Sequence, residues 1–104
     1  MQIQVNMHDT VAASVNDGRL EGRVAASLGR FEQHLTRIEV HIQDVNAGKG
    51  GAADKRCMIE ARPTGHQPIA VTHEAATVGQ AIEGALEKAK RALDRALAAR
   101  TDHK

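Results

Sequence analysis

Three cations stand at Lys88, Arg91 and Arg95, the i, i+3, i+7 spacing that lines one edge of an α-helix. The chemistry open to such a stripe is electrostatic. Arg presents a planar fork that matches a phosphate bidentately, and Lys offers a mobile point charge. Around them Val78, Ile82, Ala85, Leu86, Ala89, Leu93 and Ala96 recur as a single apolar face, which predicts a helix from about Thr77 to Leu97. At roughly 100° per residue, Glu83, Glu87 and Asp94 fall on the opposite flank, with Lys90 among them. A helix that needed only solubility would interleave its signs for i,i+4 pairing. Cations gathered on one flank are arranged to meet an extended anion, although a simply solvated face is the plainer reading of the same residues.

An earlier segment repeats the pattern. Leu20, Val24, Leu28, Phe31 and Leu35 define the apolar face of a first helix running to about His34. Asp17 is placed to cap it, with Ser14 as the rival start because Ser14-x-x-Asp17 resembles a capping box. Arg19, Arg23 and Arg30 share one flank of this helix, and Glu21 and Glu32 the other. If the basic flanks of the two helices lay side by side they would form one cationic track, the expectation carried into the structure. Two further cations belong to the candidate set. Lys49 sits in Gly48-Lys49-Gly50-Gly51, a loop whose backbone N–H groups can approach a phosphate, although it lacks the order and the strand-to-helix junction of a Walker A loop. Arg56 lies with Lys55 and Arg62 around a third strand, where Arg56 and Arg62 project to an open face and Glu60 is placed to pair with either.

No constellation supports catalysis, and no cofactor is called for. His8, His34, His41, His66, His73 and His103 show no H-x-x-x-H or H-E-x-x-H spacing, so they read as polar surface and not as metal ligands. Cys57 is the single cysteine, which excludes an internal disulfide, and it points inward with no base beside it. Phe31 is the single aromatic residue, which excludes the stacking platforms on which RRM and OB folds read unpaired bases. An RNA partner would therefore be met through phosphate, 2′-hydroxyl and shape. A net charge of +1 does not by itself demand such a partner. The N-terminus has no signal-peptide pattern and no apolar run reaches the roughly 20 residues that span a bilayer, so a soluble, cytoplasmic protein is expected.

The 104 residues suffice for one domain, 1–104, with a frayed tail over 98–104. Ile3 and Val5 alternate with polar residues in a strand from Met1 to Asn6. Ile38, Val40 and Ile42 form a second strand, Cys57, Ile59 and Ala61 a third, and Gln67 to His73 a fourth with Ile69 and Val71 inward. Pro63-Thr64-Gly65-His66 supplies the turn before the fourth strand, and Thr77 a plausible N-cap for the last helix. Every strand has one polar face, so the sheet is covered on one side only. The fold class is α+β, a β-α-β-β-β-α two-layer sandwich with a four-stranded sheet and two helices on one face.

In this order the sequence resembles the ribosome hibernation-promoting factor family, which includes ribosome-associated translation inhibitors once called sigma-54 modulation proteins. The resemblance covers nearly the whole chain. It is carried by L-E-G-R-V-A-A-S-L-G-R-F-E-Q-H-L-T-R-I from Leu20 to Ile38, by D-K-R-C-M-I-E-A-R with the following P-I-A-V-T-H, and by Ala81-Ile82-Glu83 ahead of Lys88, Arg91 and Leu93. It implies a fold like a double-stranded-RNA-binding domain and a non-enzymatic, ribosome-associated role. The implied partners are the small ribosomal subunit and its rRNA in the mRNA/tRNA channel. Occupying that channel would inhibit translation and preserve idle ribosomes in stationary phase or stress. The family's basic positions correspond to Lys88, Arg91 and Arg95, and to Arg30 and Arg23. Gly79 replaces a Tyr common in the family, Gly84 weakens the helix by up to about 1 kcal/mol relative to Ala, and Asp94 interrupts a more basic region. The alternative expectation is a protein-interaction or dimerisation module using the open sheet face or an edge strand, and a weak homodimer is compatible with either reading. Neither reading involves a membrane or a small-molecule substrate.

Overall fold

The computed structural model describes residues 2–7, 19–44 and 55–101, with backbone alone at 7, 19 and 99–101. The elements are β1 (Gln2–Met7), α1 (Arg19–Leu28), a 3₁₀ helix (Gly29–His34), β2 (Leu35–Asp44), β3 (Lys55–Pro63), β4 (Ile69–Ala75) and α2 (Val78–Thr101). The expected caps Ser14 and Asp17, the Gly48–Gly51 loop with Lys49, and His8 and His103 lie outside the described residues. The sheet runs β1-β2-β3-β4, with β1 parallel to β2 and the other neighbours antiparallel. A helical crossover joins the parallel pair, as such a pair requires.

Alternation sets the layers. Ile3 faces Ile38 and Val5 faces Val40 across the first ladder, and Val40, Ile59 and Val71 align across the next two. These side chains share the helix-facing side, where Ile38, Val40, Ile42 and Cys57 are completely buried. Against them α1 and the 3₁₀ helix set Leu20, Val24, Leu28 and Phe31, while α2 sets Ala81, Ile82, Ala85, Leu86, Ala89 and Leu93. Each large aliphatic side chain so buried contributes on the order of 1.5–3 kcal/mol. The alanines keep α2 close to β3 and β4.

Four boundaries differ from the sequence reading. The first helix narrows to a 3₁₀ helix after Leu28, so Phe31 is delivered to the core by that tighter turn. Leu35 opens β2 instead of closing the helix; it stays buried because a bulge between Leu35 and Arg37 shifts the alternation by one residue. The Thr36 hydroxyl donates to the Arg62 carbonyl at 3.0 Å there. Strand β4 lies two residues later than expected, after a turn in which Gly65 adopts φ 67° and the His66 N–H donates to the Pro63 carbonyl at 3.3 Å. Helix α2 continues to Thr101, four residues past the expected end at Leu97, because Ala98, Ala99 and Arg100 are all strong helix formers. Its N-cap is Thr77 as expected, whose Oγ1 accepts from the Gln80 N–H at 3.1 Å.

Candidate nucleic-acid interface

The apolar stripe of α2 sits on β3 and β4, so its two charged flanks border that stripe on either side, about 90° apart by helical position. One looks toward α1. There the Arg23 guanidinium pairs with Glu83, and Arg30 Nη2 donates to Asp94 Oδ2 at 2.8 Å. The Arg30 guanidinium also lies over the Phe31 ring, 4.3 Å from its centroid. The hydrogen bond from Arg30 holds the Asp94 carboxyl below its ordinary range, with the charges of Arg30 and Lys90 adding to the effect. The same bond raises the Arg30 pKa. Lys90, on this acidic flank, pairs with Glu87 at 3.0 Å one turn back.

The other flank carries Lys88, Arg91 and Arg95, all exposed. Among the described residues none of these three is in an ion pair, and Glu87, one turn before Arg91, is paired with Lys90 instead. Lys88 Nζ donates to the Thr72 carbonyl of β4 at 2.8 Å, which puts this flank on the β4 side of the helix. The three positions span roughly 10 Å of helix at 1.5 Å per residue. Charges held this way, exposed and uncompensated, can neutralise successive phosphates of a polynucleotide backbone.

The expected continuous track is therefore corrected. The basic flank of α1 does not join the basic flank of α2; it meets the acidic one. Opposite signs attract across the seam between the helices, so Arg23 and Arg30 are taken up by α2's own carboxylates. Arg56 is engaged as well, through Nε at 2.9 Å and Nη2 at 2.7 Å to Glu74 on the open sheet face, on the far side of the sheet from both helices. Arg19 opens α1, but its side chain is outside the described set, as is Lys49. Of the eight candidate cations, the structure brings together Lys88, Arg91 and Arg95.

The open face of the sheet balances its charges internally. Arg62 pairs with Glu60 at 3.1 Å, as expected, and approaches Glu39 at 4.0 Å. Arg37 lies 3.0 Å from Glu39, which His41 Nε2 also approaches at 3.2 Å. Arg37 stands opposite Arg62 and Glu39 opposite Glu60, so the opposite signs meet along the strands and on diagonals, and among the described residues that face carries both signs together.

His73 is a second correction. Expected as polar surface, it stands opposite Cys57 in the ladder and so belongs to the helix-facing side. Its ring lies against Gly84: a Cβ at that position would come 2.0 Å from His73 Cδ2. Gly84 therefore makes room for the imidazole instead of merely weakening α2. The signal was available, since His73 shares its parity with Ile69 and Val71. Gly79, by contrast, faces open space. Cys57 is fully buried, and burial pushes its thiol from 9.0 up to about 12, which disfavours the thiolate in the folded chain. Among the described residues no three of His, Cys, Asp and Glu gather into a metal-binding cluster, and no helix is long and apolar enough to cross a membrane.

Residues 5–100 match the model of a family described as sigma 54 modulation protein / S30EA ribosomal protein. Among solved structures, a ribosomal subunit interface protein from Coxiella burnetii superposes with a TM-score of 0.70 at 16% identity, covering 94% of this chain and 99% of that one. The N-terminal domain of Protein Y from Thermus thermophilus superposes with a TM-score of 0.67 at 21% identity, covering 91% and 98%. At these identities the two likenesses speak for the fold. No curated protein matches the sequence.

Proposed function

This chain belongs to the sigma 54 modulation protein / S30EA ribosomal protein family, that of the hibernation-promoting factors, and on that premise we propose that it is a ribosome-associated factor that binds small-subunit rRNA through Lys88, Arg91 and Arg95. In this reading it works in the cytoplasm by occupancy, without covalent chemistry. Seated in the mRNA/tRNA channel it inhibits translation and preserves idle ribosomes during stationary phase or stress. The observation that carries the reading is the carboxylate-free stripe on the β4 side of α2 in a chain of this family. The lack of an aromatic stacking platform agrees with it, because phosphate and shape do not require one.

Charge reversal at Lys88, Arg91 and Arg95 together tests the proposal. Cosedimentation with purified small subunits is expected to disappear while the circular-dichroism melt stays in place, since none of the three side chains enters the core. Undiminished cosedimentation removes the stripe from the function. Wild-type binding should follow salt with a log–log slope of about −2 to −3, the sum of roughly −0.7 to −0.9 for each phosphate neutralised. Light scattering on the same samples distinguishes the other reading, because a stable dimer indifferent to subunits would favour a protein-interaction module.

A further inference from the structure

We propose that Asp94 and Glu83 act as built-in counter-charges that withhold Arg30 and Arg23 from the polynucleotide, confining its footprint to the Lys88–Arg91–Arg95 flank, with Asp94 the residue that sets the footprint's width. The inference rests on the RNA-binding reading above and adds to it which cations are kept out and by what.

Three features converge on Arg30. Its guanidinium donates to Asp94, 64 residues away in sequence, at 2.8 Å. It lies over Phe31, whose ring is anchored in the core. Asp94 is ionised at neutral pH as any ordinary carboxylate is, and the Arg30 hydrogen bond favours that charged form further. A phosphate approaching Arg30 must displace a carboxylate that already occupies the fork, and it meets that carboxylate's charge on the way. Arg23 and Glu83 repeat the arrangement nearer the start of α2. The two pairs advance in the same sense along both segments, so they form a seam along the junction of the helices and not an isolated contact. Both arginines remain exposed at about half their side-chain surface, 44% and 58%. Access is open to them; what withholds them is the partner charge. On the far flank no such partner exists among the described residues, and the same kind of anion meets Arg91 and Arg95 unopposed. Across the width of α2 the carboxylates also repel a bound phosphate, an effect that fades once the Debye length falls to about 8 Å at physiological ionic strength.

The test compares Arg30→Gln, Asp94→Asn, the double variant and Arg91→Gln for affinity to purified small subunits over a salt series, each checked by thermal melt. Asp94→Asn is expected to tighten binding severalfold at low salt and to steepen the salt slope by about 0.7–0.9, one phosphate's share. Arg30→Gln alone should leave the slope unchanged while the freed Asp94 charge weakens binding modestly at low salt, and the double variant should lose the extra slope. Arg91→Gln should weaken binding and flatten the slope by one share. If Arg30→Gln instead flattens the slope as Arg91→Gln does, or Asp94→Asn leaves the slope alone, the counter-charge role is overturned while the RNA-binding reading stands. If the wild-type chain does not bind subunits, that reading itself falls.

Discussion

The flank of α2 that faces α1 and the flank on the β4 side carry similar long charged side chains, but they differ in what stands opposite. Glu83 and Asp94 meet Arg23 and Arg30 across the seam. Lys88 meets only a backbone carbonyl, and Arg91 and Arg95 meet solvent. Available charge is thus a property of pairs of elements and not of one helix. Behind a net charge of +1, the seam and the open sheet face are compensated, and among the described residues Lys88, Arg91 and Arg95 gather cations without ion-pair partners on one strip.

The hardest way to break this contrast is to reverse the charge of each side in turn. Lys88→Glu, Arg91→Glu and Arg95→Glu together should abolish subunit binding with no change in melting temperature. Arg23→Glu with Arg30→Glu should do the opposite in kind, lowering the melting temperature because each new carboxylate faces an existing one. A loss of binding in the second variant at unchanged stability would erase the distinction between the flanks.

A core change sharpens it. Leu93, buried beneath both flanks, should cost about 2–5 kcal/mol in urea unfolding when replaced by Ala, yet leave the salt slope of binding unaltered at temperatures where the chain is folded. The His73–Gly84 contact gives a smaller effect. Gly84→Ala alone forces the imidazole aside, whereas in a His73→Ala background it should add up to about 1 kcal/mol of helix propensity, so the double-mutant cycle should be non-additive.

Cys57 supplies the smallest test, one of pH. Because its thiol is raised from 9.0 to about 12 in the folded chain, the unfolded thiol ionises first. Its contribution to stability is complete below about pH 9 and is lost as pH rises through about 12. Native protein at pH 8 should resist thiol reagents that modify the urea-unfolded chain at once. Asp94 behaves in the reverse sense. Its depressed pKa preserves the Arg30 pair under mild acid, and the pair is lost only as pH falls below the ordinary carboxylate range.

Much of this was legible in the amino-acid sequence. Period-two alternation placed Ile38, Val40, Ile42, Cys57 and Ile59 in the core, and the 3.6 period placed Ile82, Leu86 and Leu93 opposite them. The same period assigned Lys88, Arg91 and Arg95 to one flank. It could not say which flank would look toward α1, because that depends on how the helices are laid over the sheet, a long-range fact. A clue did exist: the cations of α1 and the carboxylates of α2 are complementary, and complementary flanks attract. Leu35 was misplaced because helical and strand periods both accommodate it at the bulge, and the 3₁₀ segment was hidden because Phe31 satisfies either winding.

The bond from Lys88 to the Thr72 carbonyl reaches beyond recognition. Strand β4 is an outer margin of the sheet, and unpaired carbonyls on such a margin invite another chain to zip alongside. In the unbound molecule a lysine ammonium blocks that docking, since an incoming backbone would have to evict it. One ammonium cannot guard the margin and grip a phosphate at once. If Lys88 grips a phosphate as proposed, binding would withdraw that shield, and the bound chain would need its target to cover the margin.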